Sequence, residues 1–297
     1  MTAKISNRAS GALDPRRNAF RSDLAAKVLE GVVKAERYVA GNPAVVVRSS
    51  VPLRKLPDPS YGFETEALFG EQVTIFDDAG GWAWIQLARD GYVGYVPSDA
   101  LRRGITQATH KIHTLGTFVY SAPDIKSPPL LHLAMNALLT ASAADERFLE
   151  LEGRAYVYAR HATFVDRHAR DFVEIAERFI GTPYLWGGRT HIGLDCSGLV
   201  QTSLIAAGFV APRDTDMQQA ELGQNVRIEG DLEGLARGDL VFWKGHVGIM
   251  IDSVLMVHAN AHHMQVAIEP LLEAAQRIRK ASGDIVAVKR LGRLTAV

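Results

Sequence analysis

The apolar residues of this 297-residue chain change their period along its length, and that change limits what the chain can fold into. From Val45 to Leu101 they fall in short alternating segments: Val45 to Val47, Val73 to Phe76, Trp82 and Trp84 into Leu87, and Tyr92 to Val96. Asp77, Asp78, Gly80 and Gly81 supply turn chemistry between them, so the stretch is read as a small antiparallel barrel. Residues 113 to 160 echo it. Val47, Ser49, Pro52 and Arg54 have loose counterparts in Val119, Ser121, Pro123 and Lys126, and Phe148 to Tyr158 alternates like paired strands around Gly153. The middle of this echo, Ser127 to Ala144, is rich in Leu and Ala and is read as a loop or a short helix. Ahead of both, Leu24, Val28, Leu29 and Val32 stand at helical spacing and predict an amphipathic helix after a frayed start.

Beyond His168 the period lengthens. Phe172, Ile175, Ala176 and Phe179 predict a helix ending at Gly181, and a second helix is expected to begin at Cys196, bury Leu199, Val200 and Leu204, and stop at Gly208. Strands are then expected at Leu240 to Trp243, Val247 to Ile251, Val254 to His258, around Gln265 and at Ile285 to Val288, with a helix from Leu271 to Ile278. Helices first and antiparallel strands afterwards make this unit α+β. The expected division is a lead-in over 1–40, β units over 41–104 and 105–162, and the α+β unit over 163–297.

The charge balance excludes one class of partner. Lys and Arg number 33, as do Asp and Glu, so no net field draws a polyanion, and nucleic acid is not expected. No apolar run reaches the roughly 18 residues of a membrane span, and the first twenty residues lack a signal-peptide core, so the expected address is the cytoplasm. With one cysteine no internal disulfide can form, which leaves Cys196 free for chemistry.

A catalytic cysteine needs surroundings that favour its thiolate, and a helix N-terminus or a neighbouring imidazolium provides them. Gly187, Gly188 and Gly193 lead to Asp195, a natural N-cap residue, so Cys196 is expected on the first helical turn where free amides and the dipole favour an anion. A free cysteine is more often a small buried hydrophobe, but polar Asp195 and Ser197 flank this one. His246 follows Lys244 and Gly245, and His258 closes the next strand, with Asp252 and Ser253 as the turn between them. A hairpin folded there sets 246 nearly opposite 258, so one histidine orients the other as in a protease triad, with Asn260 as the substitute orienter. His262 and His263 extend the cluster, but adjacent histidines without a second cysteine do not make a common metal-ligand spacing, and neither metal nor cofactor is expected. His161, His168 and His191 read as solvent-facing residues.

These residues resemble the NlpC-type papain-like cysteine peptidases: Tyr184 through Trp186, Gly187 and Gly188, the run Asp195 to Val200, then Gly238, Asp239, Leu240 and Gly245 to Gly248. The upstream β units look like bacterial SH3 domains, which narrows the likeness to the γ-D-glutamyl-L-diamino acid endopeptidases. The resemblance implies a papain-like catalytic domain preceded by two SH3-like barrels. It implies Cys196 as nucleophile, His246 as base, His258 as third member and Tyr184 as an oxyanion donor. It further implies a small murein peptide as substrate, its free L-Ala ammonium held by Asp195 with Glu66 or Glu64 and Tyr92 or Tyr95, in a pocket lined by Trp186, Ser197, Arg213, Asp214 and Thr215. A wall-fragment binding module without activity, or an acyltransferase using the same cysteine, are the alternatives.

Overall fold

The computed structural model describes residues 13–227 and 232–292. Residues 1–12, the expected start of the lead-in, lie outside them.

The lead-in helix is not formed. Leu24–Ala26 is a strand paired in parallel with Arg37–Val39, and only a single 3-10 turn, Lys27–Leu29, separates them. Leu24 packs under Trp84 in its own small cluster, while Val28 and Val32 are 85% and 64% exposed, so helical spacing did not correspond to one buried face. Tertiary contact with the first barrel outweighs a weak local preference.

The first β unit follows the alternation of its residues. Its five-stranded sheet runs in the order Val93–Pro97, Trp82–Leu87, Gln72–Ala79, Asn42–Val46 and Leu101–Arg103. A hairpin of Ser50–Leu53 and Thr65–Leu68 joins its core of Val46, Leu53, Ile75, Ile85 and Val96. In the next stretch Phe148–Leu151 pairs with Ala155–Tyr158, as the alternation predicts. The Leu- and Ala-rich middle is neither loop nor helix but strand: Pro129–Ala134, Leu138–Leu139 and Ala141–Ala143. Leu133 and Leu139 are buried there against Ile112, Val119 and Val157.

The last unit packs helices on both faces of a mixed-length antiparallel sheet. Strand order is Gln224–Asn225, Ala287–Arg290, Leu240–Trp243, His246–Met250, Leu255–Asn260, Gln265–Pro270. Helices α1 (Phe172–Glu177) and α2 (Cys196–Ala206) bury Ala176, Leu199 and Leu204 against Phe242, Val247 and Ile249. Helix α4 (Leu271–Ser282) covers Trp243, Met250 and Met256 on the other face. A further short helix, α3 (Thr215–Glu221), had no signal in the periodicity. No helix among the described residues is long and apolar enough to cross a membrane.

A polar seam holds the first β unit against the helical unit. Arg189, 1% exposed, donates its backbone amide to Glu66 Oε2 at 2.7 Å and its guanidinium to the Glu66 carbonyl at 2.6 Å. Arg213 reaches Thr65 Oγ1 at 2.8 Å, and Gln201 reaches Asp90 Oδ2 at 2.8 Å. Hydrogen bonds are directional and gain strength away from water, so this seam fixes how the two units meet.

Candidate active site

The glycine-rich loop ends in a capped helix. Asp195 is the N-cap of α2 and accepts from the Gly198 amide at 2.7 Å, which puts Cys196 on the first turn as the sequence predicts. Glycine is needed at 198 for approach: a Cβ there would run into the Gly188 carbonyl. The polar flanks did not keep the thiol exposed. Cys196 is 7% exposed and joins the helical core, and Asp195 and Ser197 are buried with it.

On the sheet, Lys244 and Gly245 form a two-residue hairpin between Trp243 and His246, with Gly245 at φ 76°, the second central position that a type II turn reserves for glycine. The following register differs from the expected one. Ile249 faces Val257 and Met250 faces Met256, so His246 and His258 are offset by two positions instead of lying opposite. They still share a face, and diagonal neighbours are within reach of imidazole rings. His246 Nε2 lies 2.8 Å from His258 Nδ1.

A fourth member follows that sequence reasoning did not single out. His258 Nε2 lies 2.6 Å from Glu269 Oε1, and Arg277 grips both oxygens of Glu269, at 2.6 and 2.5 Å. Glu269 sits on the neighbouring strand opposite Met256, a pairing that only the sheet register reveals. Burial pushes its carboxyl up, but hydrogen bonds from His258 and Arg277 outweigh this and hold it well below the usual range. An ionised Glu269 can only accept, so His258 Nε2 carries a proton and, in the neutral ring, Nδ1 accepts. His246 must then donate through Nε2, which leaves its Nδ1 able to accept a proton. These tautomers are assigned from the hydrogen-bond network.

The thiol meets this relay at the start of the His246–Met250 strand. The Val247 amide donates to the Cys196 sulfur, and Thr215 Oγ1 lies 3.9 Å from it. The sulfur is thus held between Thr215 and the backbone of Val247, the residue after His246. Burial, then the Asp195 charge, pushes the thiol up to about 11, against the lowering expected at a helix N-terminus. Burial, with the His258 and Arg277 charges, pulls His246 down to about 3. At neutral pH the resting pair is therefore thiol and imidazole.

A cavity of about 400 Å³ opens over the sulfur, lined by Glu64, Tyr92, Tyr184, Trp186, Ser197 and Thr215 among others. A larger hollow, about 860 Å³ beside Phe118 and His132, holds none of the expected site residues. His161 and His191 border that hollow half-buried, contrary to the solvent-facing reading, while His168 is exposed and lies 3.0 Å from Lys111 Nζ. Tyr184 is half-buried near Cys196, and its phenol is pushed up by burial and then by the Cys196 and Asp195 charges, so it stays a donor. Glu64 and Tyr92 are the acid and tyrosine of the first β unit that face the thiol. Glu66 does not, being spent on Arg189, and the Tyr95 hydroxyl accepts from Arg21 at 2.7 Å. Arg213, 1% exposed, stands behind the cavity instead of lining it. It pairs with both oxygens of Asp195, at 2.9 and 2.7 Å. The Gly187 amide takes Asp195 Oδ2 at 2.8 Å, and Ser197 reaches Oδ1 at 3.2 Å. With these and the Gly198 cap, Asp195 lends the cavity its field but no free lone pair.

Residues 181–281 match the NlpC/P60 family, and residues 53–101 match the bacterial dipeptidyl-peptidase Sh3 domain. The chain thus carries an NlpC/P60 domain behind a bacterial dipeptidyl-peptidase Sh3 domain, and it is a peptidase. This peptidase is 28% identical over 233 residues to the gamma-D-glutamyl-L-lysine dipeptidyl-peptidase of Bacillus subtilis (strain 168), covering 71% of this chain and 76% of that one. It is 27% identical over 254 residues to dipeptidyl-peptidase 6 of Lysinibacillus sphaericus, covering 77% and 92%. The crystal structure of an NlpC/P60 family protein from Bacillus cereus shares the fold, with a TM-score of 0.70 and 22% identity over 84% of this chain and 99% of that one.

Proposed function

We propose that this peptidase hydrolyses the γ-D-glutamyl bond to a diamino acid in small murein peptides with a free N-terminal L-Ala, by way of a thioester on Cys196. The observation that carries the reading is one cavity of about 400 Å³ bordered by both the Cys196 thiol and the Glu64 carboxylate. The names of the relatives from Bacillus subtilis and Lysinibacillus sphaericus support the bond and the dipeptide product.

In the first step His246 Nδ1 takes the thiol proton as sulfur attacks the γ-carbonyl, and the imidazolium is shared with His258 and stabilised by Glu269. The oxyanion takes hydrogen bonds from Tyr184 and from the Cys196 amide, which sits on the first helical turn. Collapse returns the proton to the leaving amine and leaves the acyl group on sulfur. Water, deprotonated by His246, then releases L-Ala-γ-D-Glu and restores the thiol. Because both partners start neutral, the charge develops only during attack, where the relay stabilises it more than in the resting state.

The ammonium of L-Ala pairs with Glu64 beside Tyr92, in the negative field to which Asp195 and Asp214 contribute. A blocked or sugar-linked amine leaves that carboxylate unpaired, which selects free peptides over intact wall. We place the reaction in the cytoplasm, in the turnover of imported fragments, and we read residues 105–162 as a second SH3-like unit that carries none of the chemistry. The test is chromatography with mass detection of L-Ala-γ-D-Glu-meso-diaminopimelate and its N-acetyl form after incubation with enzyme. Release of L-Ala-γ-D-Glu from the free peptide alone is expected; equal cleavage of both forms removes the amine-recognition reading, and cleavage of neither removes the substrate.

A further inference from the structure

Residues 14–20 lie outside both matched segments, yet they run between the first barrel and helix α3. The backbone of this strap is fastened to the barrel. Val93 donates its amide to the Arg16 carbonyl at 2.8 Å, and Gln86 Nε2 donates to the Arg17 carbonyl at 2.8 Å. The side chains turn to the catalytic unit. Arg16 Nη1 reaches Asp214 Oδ2 at 2.8 Å and Asp216 Oδ1 at 3.0 Å, and Nη2 reaches Asp216 Oδ2 at 2.6 Å. Asp14 braces the same guanidinium through Nε and Nη2, and also takes the Arg16 amide at 2.9 Å. Arg17 pairs with Glu221 at the other end of α3.

An isolated ion pair at such half-exposed positions contributes little, but a single planar fork whose donors are shared among three carboxylates is a network with fixed geometry. Its effect falls on α3. Asp214 is the N-cap residue of that helix, yet its carboxylate caps no helix amide; it holds Arg16 and the Tyr92 hydroxyl, the latter at 3.1 Å. Seven residues make a marginal helix, so partners set its position. Its first residue is Thr215, the hydroxyl beside the Cys196 sulfur, and Arg16 itself borders the cavity over that sulfur.

We propose that the strap Asp14–Arg17 is a latch: Arg16 holds α3 against the first barrel and thereby sets the shape of the substrate cavity beside Cys196. Arg16 is a positioning residue, since its donors are already taken by carboxylates. The substrate named in the test comes from the function proposed above, whereas the latch rests on geometry alone.

The test compares wild type with Arg16→Ala, Arg16→Lys and Asp216→Asn, each checked for fold by circular dichroism. Two readouts are taken: KM and kcat on the tripeptide, and the rate of Cys196 alkylation by iodoacetamide without substrate. A misplaced cavity wall raises KM about tenfold in Arg16→Ala while kcat changes less. Alkylation quickens several-fold, millimolar guanidinium restores the KM of Arg16→Ala but not of Asp216→Asn, and Lys rescues only in part because a point charge cannot span the three carboxylates. Wild-type KM and wild-type alkylation in folded Arg16→Ala overturn the latch. Should that variant not fold, Asp216→Asn decides by the same two readouts. Should the wild type leave the tripeptide uncut, the proposed substrate falls, and the alkylation rates alone decide the latch.

Discussion

Replacing Glu269 with Gln exchanges one heavy atom and tests the whole relay. The carboxylate accepts from His258 Nε2 at 2.6 Å and is gripped by Arg277, so the amide keeps the shape while removing the charge that fixes the His258 tautomer. A Gln oriented with its NH2 toward His258 favours the inverted ring, with Nε2 accepting and Nδ1 donating. His246 Nε2 must then accept, and its Nδ1, the nitrogen meant for the thiol proton, is capped by hydrogen. Partners that orient an active ligand from one step away typically contribute ten- to a hundredfold. At about 1.4 kcal/mol per decade this amounts to about 1.4–2.8 kcal/mol of transition-state stabilisation, in line with one charge-assisted hydrogen bond. The assay is kcat/KM on the tripeptide, beside a urea unfolding curve and nitrogen-15 spectra of the two histidines. The expected result is a loss in kcat with KM near wild type, and a mixed tautomer signal for His246. A folded Glu269→Gln enzyme with wild-type kcat/KM refutes the reasoning, because Glu269 is then a structural partner of Arg277 and nothing more.

Other outcomes follow from the same geometry. Arg213→Met removes the partner of a buried Asp195 and is expected to cost about 3–5 kcal/mol in urea unfolding, as the breaking of a buried ion pair does; Glu64→Gln is expected to raise KM about tenfold for the loss of one charge-assisted hydrogen bond, and to narrow the preference for free over acetylated amine. Since His246 protonates only near about 3 and Cys196 ionises near about 11, kcat/KM should stay level from about pH 5 to 7 and fall above about 8, where the substrate's own α-amino group loses its proton. An acid limb near 6.5 in the pH–rate profile contradicts the buried, neutral His246. Stability carries the same sign: the folded pKa of His246 lies below its unfolded value, so its contribution is complete above pH 6.5 and is lost as pH falls toward about 3, which urea midpoints across that range will show.

The parts of this site legible in the sequence are those that the chain specifies locally. Asp195 before Cys196 is a cap signal, so the cysteine's place on a first helical turn was set by its nearest neighbours. Glu269 was not, because its partnership depends on how a third strand pairs with a second, and no spacing along the chain encodes that register. The ion pair that engages Asp195, expected to hold an ammonium, was illegible for a comparable reason. The partner, Arg213, reaches Asp195 only once the chain folds back after α2. The thiol's environment was misjudged as well, since polar flanks say nothing of what the sheet and α3 lay over them. In the lead-in, Leu24 to Val32 carried a helical spacing that packing under Trp84 overrode, and in Pro129–Ala134 leucines common in helices serve a strand because they have a sheet to join.

In the mechanism proposed above, Cys196 attacks the γ-glutamyl carbonyl with its proton passing to His246. Intact-protein mass spectrometry after rapid acid quench of enzyme mixed with L-Ala-γ-D-Glu-meso-diaminopimelate tests this most directly. The expected result is a transient adduct equal to one L-Ala-γ-D-Glu acyl group, mapped to the Cys196 peptide, and neither adduct nor product from Cys196→Ala. Dipeptide released by Cys196→Ala at the wild-type rate, or an acyl group mapped to another residue, contradicts it.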